Sequence, residues 1–183
     1  MKKLAIVLIV CFVFTLGLSA YKIMLAITHP IKYENLIETN AEKFSIPSYV
    51  IASVINVESS YKEDAISSKN ALGLMQIKLS TAQYMNDYYK LNDSIDETKL
   101  LSAKTNIEYG CRYLKYLINK FNNLYTALSA YNAGETRVRV WLRDENFSSD
   151  GKSLNKIPYE ETANYIEKIK KNIKFYEKIY KNT

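Results

Sequence analysis

The chain divides into an apolar N-terminal run and a longer remainder in which apolar and polar residues alternate with helical spacing. No charge occurs between Lys3 and Lys22, and the uncharged run from Leu4 to Tyr21 is 18 residues long. A membrane-spanning helix needs ~20 such residues, whereas the apolar core of a signal peptide has roughly 7 to 15. We therefore predict an uncleaved membrane anchor, with Lys2 and Lys3 on the cytoplasmic side and the rest of the chain exported.

A cleaved signal peptide is the alternative for this run. Its small-residue site would be Gly17–Ser19 or Leu18–Ala20, and the second has a bulky residue where a small one is preferred. In either case residues 1–30 are assigned to an anchor or signal segment with a short linker. Residues 31–183 then form one exported domain, since 183 residues with 48% hydrophobic content supply one ordinary core.

Helical spacing dominates from Ile31 onwards, and no alternating strand pattern of useful length occurs. The predicted fold class is therefore mostly α. The expected elements are a buried helix from Ser45–Pro47 to Ser59, a helix with the capping box Ser80–Gln83, an amphipathic helix from about Ser102 to Phe121, a helix ended by a left-handed Gly134, a loop over 143–156, and a last helix opened by Pro158 with the apolar stripe Ile166, Ile169, Ile173, Tyr176 and Tyr180.

Composition and charge argue against several classes of function. His29 is the single histidine and lies far from every dense motif, which disfavours a Ser-His-Asp triad, a Cys-His pair or a histidine-ligated zinc. Cys11 lies in the apolar run, so no disulfide is predicted, and Cys111 is expected to pack between helices. The net charge of +6 comes from scattered lysines of the kind found on solvated helix faces, and nucleic acid is not expected as a partner.

One carboxylate, Glu58, stands at the end of the predicted buried helix and is followed by a polar loop. Desolvation and the negative end of the helix dipole both disfavour the anion there, so its pKa should rise. A carboxylic acid that stays protonated near neutral pH is what a general acid needs to protonate the leaving oxygen of a glycosidic bond. A glutamate that faces solvent or pairs with a lysine is the structural alternative.

Four blocks of residues follow one another along the chain. They are Glu58–Ser59 with Ala65–Ser67, Ala71–Ile77 and Thr81–Ala82; Asn106–Ile107 with Gly110 and Tyr113–Leu114; Ala127–Gly134 with Arg137–Val138; and Ile157–Pro158 with Glu161–Thr162 and Tyr165–Ile166. In order and spacing the blocks resemble the signature of the soluble lytic transglycosylases, which are relatives of goose-type lysozymes. Four blocks in register over roughly residues 45–170 are far harder to reach by chance than one short motif. The resemblance implies a lysozyme-like helical domain.

The resemblance also implies roles for particular residues. Glu58 would be the sole catalytic acid and base. The substrate-binding residues would be Ser67, Met75, Gln76, Tyr131, Asn132 and Tyr165, and Glu161 would cap the last helix. Plain core packing is the alternative for Met75 and Tyr131, and a hydrogen bond within the loop is the alternative for Ser67.

The activity that the resemblance implies is cleavage of the β-1,4 bond between N-acetylmuramic acid and N-acetylglucosamine without water. Ordinary glycosidases need two carboxylates. Here the C6 hydroxyl of the muramic acid itself attacks, Glu58 donates the first proton and accepts the second, and the product is a 1,6-anhydro sugar. No metal or organic cofactor is required. The expected partners are peptidoglycan glycan strands and, through the N-terminal segment, the bacterial cell membrane. We expect a monomer that faces the cell wall, or a secreted protein if the segment is cleaved.

The sequence departs from the family pattern at three positions. Glu63 and Leu79 stand where the family commonly has prolines, and Asn70 stands where it commonly has glycine. Asparagine tolerates a left-handed backbone better than most residues, so the change at Asn70 is mild. Glu63 and Leu79 leave the shape of the loop and the start of the next helix open.

Two other functions compete with this interpretation. A hydrolytic muramidase on the same fold would need a second carboxylate to position water, and Glu63, Asp64 and Glu135 are available in the sequence. A membrane-tethered module that binds the wall without catalysis is the other alternative. Such a module has no need of a desolvated acid, so a solvated Glu58 far from any cleft would favour it.

Overall fold

A computed structural model of the protein describes residues 2–181, apart from the side chains of residues 2–5, 7, 8 and 10. The chain forms two compact units, one up to Lys32 and one from Tyr33 onwards. The predicted segments 1–30 and 31–183 also include Met1, Asn182 and Thr183, which lie outside the described residues.

The first unit contains the helix α1 (Lys2–Thr28). Its stretch Cys11–Thr28 has 18 residues and a mean hydropathy of 1.7, which is long and apolar enough to cross a membrane. A signal sequence meets the same criteria, so the anchor and the cleaved leader both stay as predictions. The charges of Lys2 and Lys3, on which the predicted orientation depends, belong to side chains outside the described set.

The second unit is mostly helical, as predicted. Its elements are α2 (Glu34–Phe44), α3 (Ser48–Ser59), β1 (Ala71–Leu72), β2 (Ile77–Lys78), α4 (Leu79–Tyr88), α5 (Glu97–Leu101), α6 (Ala103–Phe121), α7 (Leu124–Ala133), α8 (Glu135–Leu142) and α9 (Glu160–Tyr180). The two strands pair antiparallel, with Ala71 opposite Lys78 and Leu72 opposite Ile77. They are too short to give a readable alternation, which is why the sequence pattern did not predict them.

The core of this unit is built around α3, whose residues from Val50 to Asn56 are all buried. α3 packs along α9, and α6 packs against α2 and α7. The predicted stripe of α9 is confirmed for its members Ile166, Ile169, Ile173 and Tyr176, which are buried. Tyr180 is partly buried at the edge of the core. Cys111 is fully buried on α6 as a free thiol, also as predicted.

The first residues of three helices test the predicted helix starts. One prediction is confirmed and two are wrong. α6 begins after Ser102, whose side chain accepts a hydrogen bond from the backbone N–H of Thr105, as expected. The capping box at Ser80 is wrong, because β2 leads directly into α4 and the extended Lys78 takes the N-cap position. α9 begins at Glu160, two residues later than Pro158 suggested.

Gly134 separates α7 from α8 with a positive φ of 92°. Its ψ of 141° is extended, so the backbone is not left-handed helical as predicted, but it still occupies a region that L side chains rarely adopt. The chain can therefore leave α7 and begin α8 without a connecting residue beyond Gly134. The predicted loop over 143–156 is confirmed.

Candidate active site

Glu58 lies in the last turn of α3, and its side chain is half-buried. Burial raises the pKa of its carboxyl to about 7, and the neighbouring Tyr165 hydroxyl opposes this rise as a hydrogen-bond donor. No ion pair joins Glu58 to any residue that the structure describes. The raised pKa expected from the sequence is confirmed, and pairing with a lysine is not its explanation.

Two tyrosines from other helices lie close enough to this carboxyl to feel its charge. The pKa of Tyr165 on α9 and that of Tyr131 on α7 are both raised well above their usual value, first by burial and then by the negative charge of Glu58. The Tyr131 hydroxyl donates to the Met75 carbonyl at 2.8 Å. The buried Tyr165 hydroxyl interacts with Glu58 but forms no hydrogen bond of standard geometry with any described residue.

The loop between α3 and α4 is held by the side chains of two predicted substrate-binding residues. The Ser67 hydroxyl accepts the backbone N–H groups of Ala71 at 3.0 Å and Lys69 at 3.3 Å. The Gln76 amide nitrogen donates to the carbonyls of Ala65 at 3.1 Å and Gly73 at 2.9 Å. Both side chains therefore shape the loop. The alternative given for Ser67, a hydrogen bond within the loop, matches the geometry.

Met75 is fully buried, and its side chain fills the space above Gly110 on α6. A Cβ atom at Gly110 would lie 2.4 Å from the Met75 sulfur, so the close approach requires glycine. The packing role proposed for Met75 thus accounts for the whole side chain. Only its backbone carbonyl reaches the site, through Tyr131.

Asn106 connects the loop to the helical core, and no role was predicted for it. Its Nδ2 donates to the carbonyls of Leu72 at 2.8 Å and Leu100 at 2.7 Å, and its Oδ1 accepts the Met75 N–H at 2.7 Å. A Cβ at Gly73, whose φ is +70°, would lie 2.3 Å from that Nδ2. A buried amide beside the apolar stripe of α6, one turn before Gly110, was the signal that could have identified it.

Asn132 and Glu161 both connect to the start of α9. Asn132 Oδ1 accepts the Thr162 hydroxyl at 2.8 Å and so ties α7 to α9. Glu161 lies in the first turn of α9, where an acid suits the helix dipole. It makes no cap hydrogen bond, contrary to the prediction, and pairs instead with Lys69 of the loop at 3.3 Å.

The other candidate carboxylates are occupied or exposed. Glu63 accepts the Ala103 N–H at 2.8 Å and the Tyr33 hydroxyl at 2.9 Å, so it caps α6. Asp64 is exposed. Glu135 pairs with Lys120 at 2.7 Å and with Arg139 at 2.9 Å. None of the three is among the groups that shift the pKa of Glu58.

This arrangement provides one acid poised to exchange a proton near neutral pH, flanked by two neutral phenols. Glu58 does not line the cavities of about 330, 510 and 660 Å³ found elsewhere on the second unit. The acid lies instead at the half-exposed end of α3. A single proton donor that is also a competent acceptor fits chemistry in which the same group acts twice.

Comparison with known proteins gives a consistent result. The family model of the transglycosylase SLT domain matches residues 35–154. Among curated proteins, the soluble lytic murein transglycosylase of Escherichia coli K12 is 31% identical over 154 residues, which cover 83% of this chain and 23% of that protein. The membrane-bound lytic murein transglycosylase E of Buchnera aphidicola is 33% identical over 153 residues, covering 76% of this chain and 65% of the relative.

Solved structures agree with the sequence matches. An inactive glutamate-to-glutamine mutant of the lytic transglycosylase Slt from Pseudomonas aeruginosa superposes with a TM-score of 0.74 at 28% identity, covering 84% of this chain and 25% of that one. The 70-kDa soluble lytic transglycosylase of Escherichia coli gives a TM-score of 0.74 at 27% identity, covering 82% and 25%. The chain spans about a quarter of the length of these larger proteins.

Proposed function

The chain belongs to the transglycosylase SLT domain family, and from this premise we propose that it is a lytic transglycosylase of peptidoglycan. It cleaves the β-1,4 bond between N-acetylmuramic acid and N-acetylglucosamine and leaves 1,6-anhydro-N-acetylmuramic acid ends. Glu58 is the sole general acid and base. The observation that carries the proposal is the half-buried Glu58 carboxyl, with a pKa raised to about 7 and no cationic partner in the described chain.

The reaction proceeds in two proton transfers. Glu58 first donates its proton to the glycosidic oxygen, and the bond from the anomeric carbon to that oxygen breaks. The C6 hydroxyl oxygen of the same muramic acid then bonds to the anomeric carbon, and its proton passes to the Glu58 carboxylate. The acid is restored and no water is consumed. A pKa near the working pH suits both transfers, since it keeps donor and acceptor forms accessible.

The two tyrosines and the loop support the proton transfers by Glu58. The Tyr165 hydroxyl can donate to the Glu58 anion that exists between the two transfers, which stabilises the charged form. Tyr131 fixes the Met75 carbonyl and so joins α7 to the loop. We propose that Ser67, Gln76, Met75 and Asn132 act mainly by holding the loop and the helices next to Glu58 in shape, with sugar contact made by the atoms that these internal hydrogen bonds leave free.

A hydrolytic muramidase is the second candidate function. It is disfavoured because Glu63 and Glu135 are tied to other partners and Asp64 is exposed. A binding module without catalysis is disfavoured because a half-buried acid without a cation lowers stability at neutral pH, a cost that mere binding does not explain. The precedent of an inactive glutamate-to-glutamine mutant in a relative favours an essential glutamate in this fold.

We further propose that residues 1–30 anchor the protein in the bacterial membrane and that residues 31–183 face the cell wall. Relatives described as membrane-bound and the apolar helix α1 are consistent with a location in the envelope. Peptidoglycan strands are the proposed substrate, and we propose that the protein acts as a monomer.

The experiment that tests the function is digestion of purified peptidoglycan with the full chain in detergent, followed by mass spectrometry of the released muropeptides. We expect 1,6-anhydro ends and few reducing ends. A digest dominated by reducing ends would identify a muramidase. A sample that releases nothing while binding the wall would identify a binding module.

A further inference from the structure

A connected series of tyrosine rings leads away from Glu58 to the protein surface. Tyr131, which is close enough to Glu58 to feel its charge, lies 5.3 Å from Tyr113 between ring centroids, and Tyr113 lies 6.3 Å from Tyr116. Tyr116 in turn lies 4.9 Å from Tyr88 and 5.8 Å from Tyr84. We call Tyr84, Tyr88 and Tyr116 the tyrosine patch.

The outer two rings of the tyrosine patch are available to a ligand. Tyr84 is 48% exposed and Tyr88 is 55% exposed, although both lie on α4 with one face against their neighbours. Tyr116 beneath them is buried. Core packing therefore explains Tyr116 but leaves much of Tyr84 and Tyr88 uncovered.

The hydroxyl groups of Tyr84 and Tyr116 are fixed by a short hydrogen-bond chain. Tyr116 donates to Glu135 at 2.8 Å and accepts from Lys120 at 2.6 Å. Because the Tyr116 proton goes to Glu135, the 3.1 Å contact between the Tyr84 and Tyr116 hydroxyls has Tyr84 as donor. Tyr84 and Tyr116 are thus held in place with the charged groups of Glu135 and Lys120 beside them, and the Tyr88 ring packs on Tyr116.

This combination matches the surface of a sugar. A pyranose presents apolar C–H faces that pack on aromatic rings and a rim of hydroxyls that bind to polar groups. Rings that are ordered before binding lose little conformational freedom when they hold a ligand. The ring series also places the patch near the site around Glu58, which favours an occupant that extends from that site.

We propose that the tyrosine patch is an accessory sugar-binding subsite, which holds pyranose rings of the glycan strand beyond those at Glu58. The identity of the strand rests on the proposed function. The contribution of the patch is to the affinity for long strands, which extend past the sugars bound at Glu58. Chemistry at the cleaved bond is not altered by the patch.

The test measures binding in a chain that cannot cleave. Full-length Glu58→Gln protein in detergent is titrated with soluble peptide-free glycan strands and with a muropeptide tetrasaccharide. Adding Tyr84→Ala and Tyr88→Ala should weaken binding of long strands about tenfold and leave the tetrasaccharide affinity unchanged. Tyr84→Phe with Tyr88→Phe keeps the rings and should retain most of the affinity. Tyr125→Ala removes a similarly exposed ring, 40% exposed on α7, and serves as the matched control.

Each outcome bears on one proposal. Unchanged strand binding by the alanine pair overturns the subsite, and so does equal weakening for both ligands. A change in molar mass by light scattering without a change in strand binding would make the patch a contact between copies and likewise overturn it. Strand binding that depends on the tyrosines, in a protein whose wild type fails to cleave, would support the subsite while refuting the transglycosylase activity. Thermal unfolding verifies that the variants are folded.

Discussion

Glu58 and Glu135 are two glutamates near tyrosine hydroxyls, yet their carboxyl groups behave in opposite ways. Burial raises the pKa of Glu58 to about 7. Burial acts in the same direction on Glu135, but hydrogen bonds from Lys120 and Tyr116 and the charges of Lys120 and Arg139 together lower its pKa. The ion pairs of Glu135 measure 2.7 and 2.9 Å, and Glu58 has none among the described residues.

The difference shows what separates a reactive acid from a structural one in this fold. A tyrosine hydroxyl near a carboxyl does not decide the outcome, because both glutamates have one. The presence of cations decides whether the pKa rises or falls, because Lys120 and Arg139 stabilise the charged form of Glu135 and leave it a poor proton donor. At the end of α3 the Glu58 carboxyl is partly buried and has no cation beside it among the described residues. Together these two conditions keep the carboxyl protonated near neutral pH.

The largest expected difference between the two glutamates is the loss of cleavage activity when each is replaced by glutamine. Glu58→Gln keeps the shape of the side chain but cannot donate a carboxylic proton, so cleavage of peptidoglycan should fall at least about 10²- to 10⁴-fold. Glu135→Gln should cost no more than about tenfold, through the tyrosine patch. Release of anhydro ends measures both. A folded Glu58→Gln enzyme with near wild-type turnover would show that another group is the acid.

The stability of the same variants should change in a pH-dependent way. The folded-state pKa of Glu58, about 7, lies above its ordinary value of 4.5, so ionisation destabilises the fold as pH rises through that interval. Glu58→Gln should therefore be more stable than wild type above pH 7, by at most about 3 kcal/mol, with the gain disappearing below the ordinary value. Urea unfolding at several pH values measures it, and a pH-independent difference would contradict the raised pKa.

Tyr165→Phe tests the polar group that acts on Glu58 among the described residues. The Tyr165 hydroxyl lowers the Glu58 pKa, so its removal should raise that pKa above 7 and move the basic limb of the pH profile of kcat/KM upward. At the optimum we expect a loss of about 2- to 10-fold, the effect of one hydrogen bond. Tyr131→Phe is the comparison variant, because its hydroxyl donates to a backbone carbonyl instead. If the basic limb does not move, the Tyr165 hydroxyl does not act on the pKa of Glu58.

The smallest expected effect is on the stability contributed by Glu135. Its lowered pKa means that the ion pairs stabilise the fold above the ordinary carboxyl pKa and stop doing so as pH falls through the lower folded value. Glu135→Gln should thus lose about 0.5–1 kcal/mol at pH 7 and little in strong acid. This dependence has the opposite sign to that of Glu58→Gln. High salt should reduce the loss, and a loss unaffected by salt would argue against the ion pairs.

The sequence predicted the parts of this contrast that depend on local pattern. The buried α3, the polar loop after it and the raised pKa of Glu58 all follow from an apolar run that ends in an acid. Arg139 lies four residues after Glu135, the spacing of an ion pair on one helix, but α8 itself was not among the predicted elements.

The contacts between distant segments could not be read in this way. Lys120 comes from another helix to pair with Glu135, and Glu63 caps α6 through Ala103, 40 residues further along the chain. The sequence therefore left the effect of Glu63, which stands in place of a common proline, open, whereas in the structure its carboxylate makes two hydrogen bonds. Likewise, the loop amide of Gln76 was expected to face a sugar, but two carbonyls of its own loop take both of its protons.

The burial of Cys111 on α6 makes this thiol a reporter of motion. Burial, together with the charge of Glu108, raises the pKa of the thiol, and only the thiolate reacts with alkylating reagents. Since the sequence has two cysteines and Cys11 lies in α1, Cys11→Ser leaves Cys111 as the single thiol. Its alkylation rate then counts openings of the core behind Met75, without a label that perturbs the groove. Slower alkylation in the presence of glycan strands would show that the substrate itself tightens the helices that hold it.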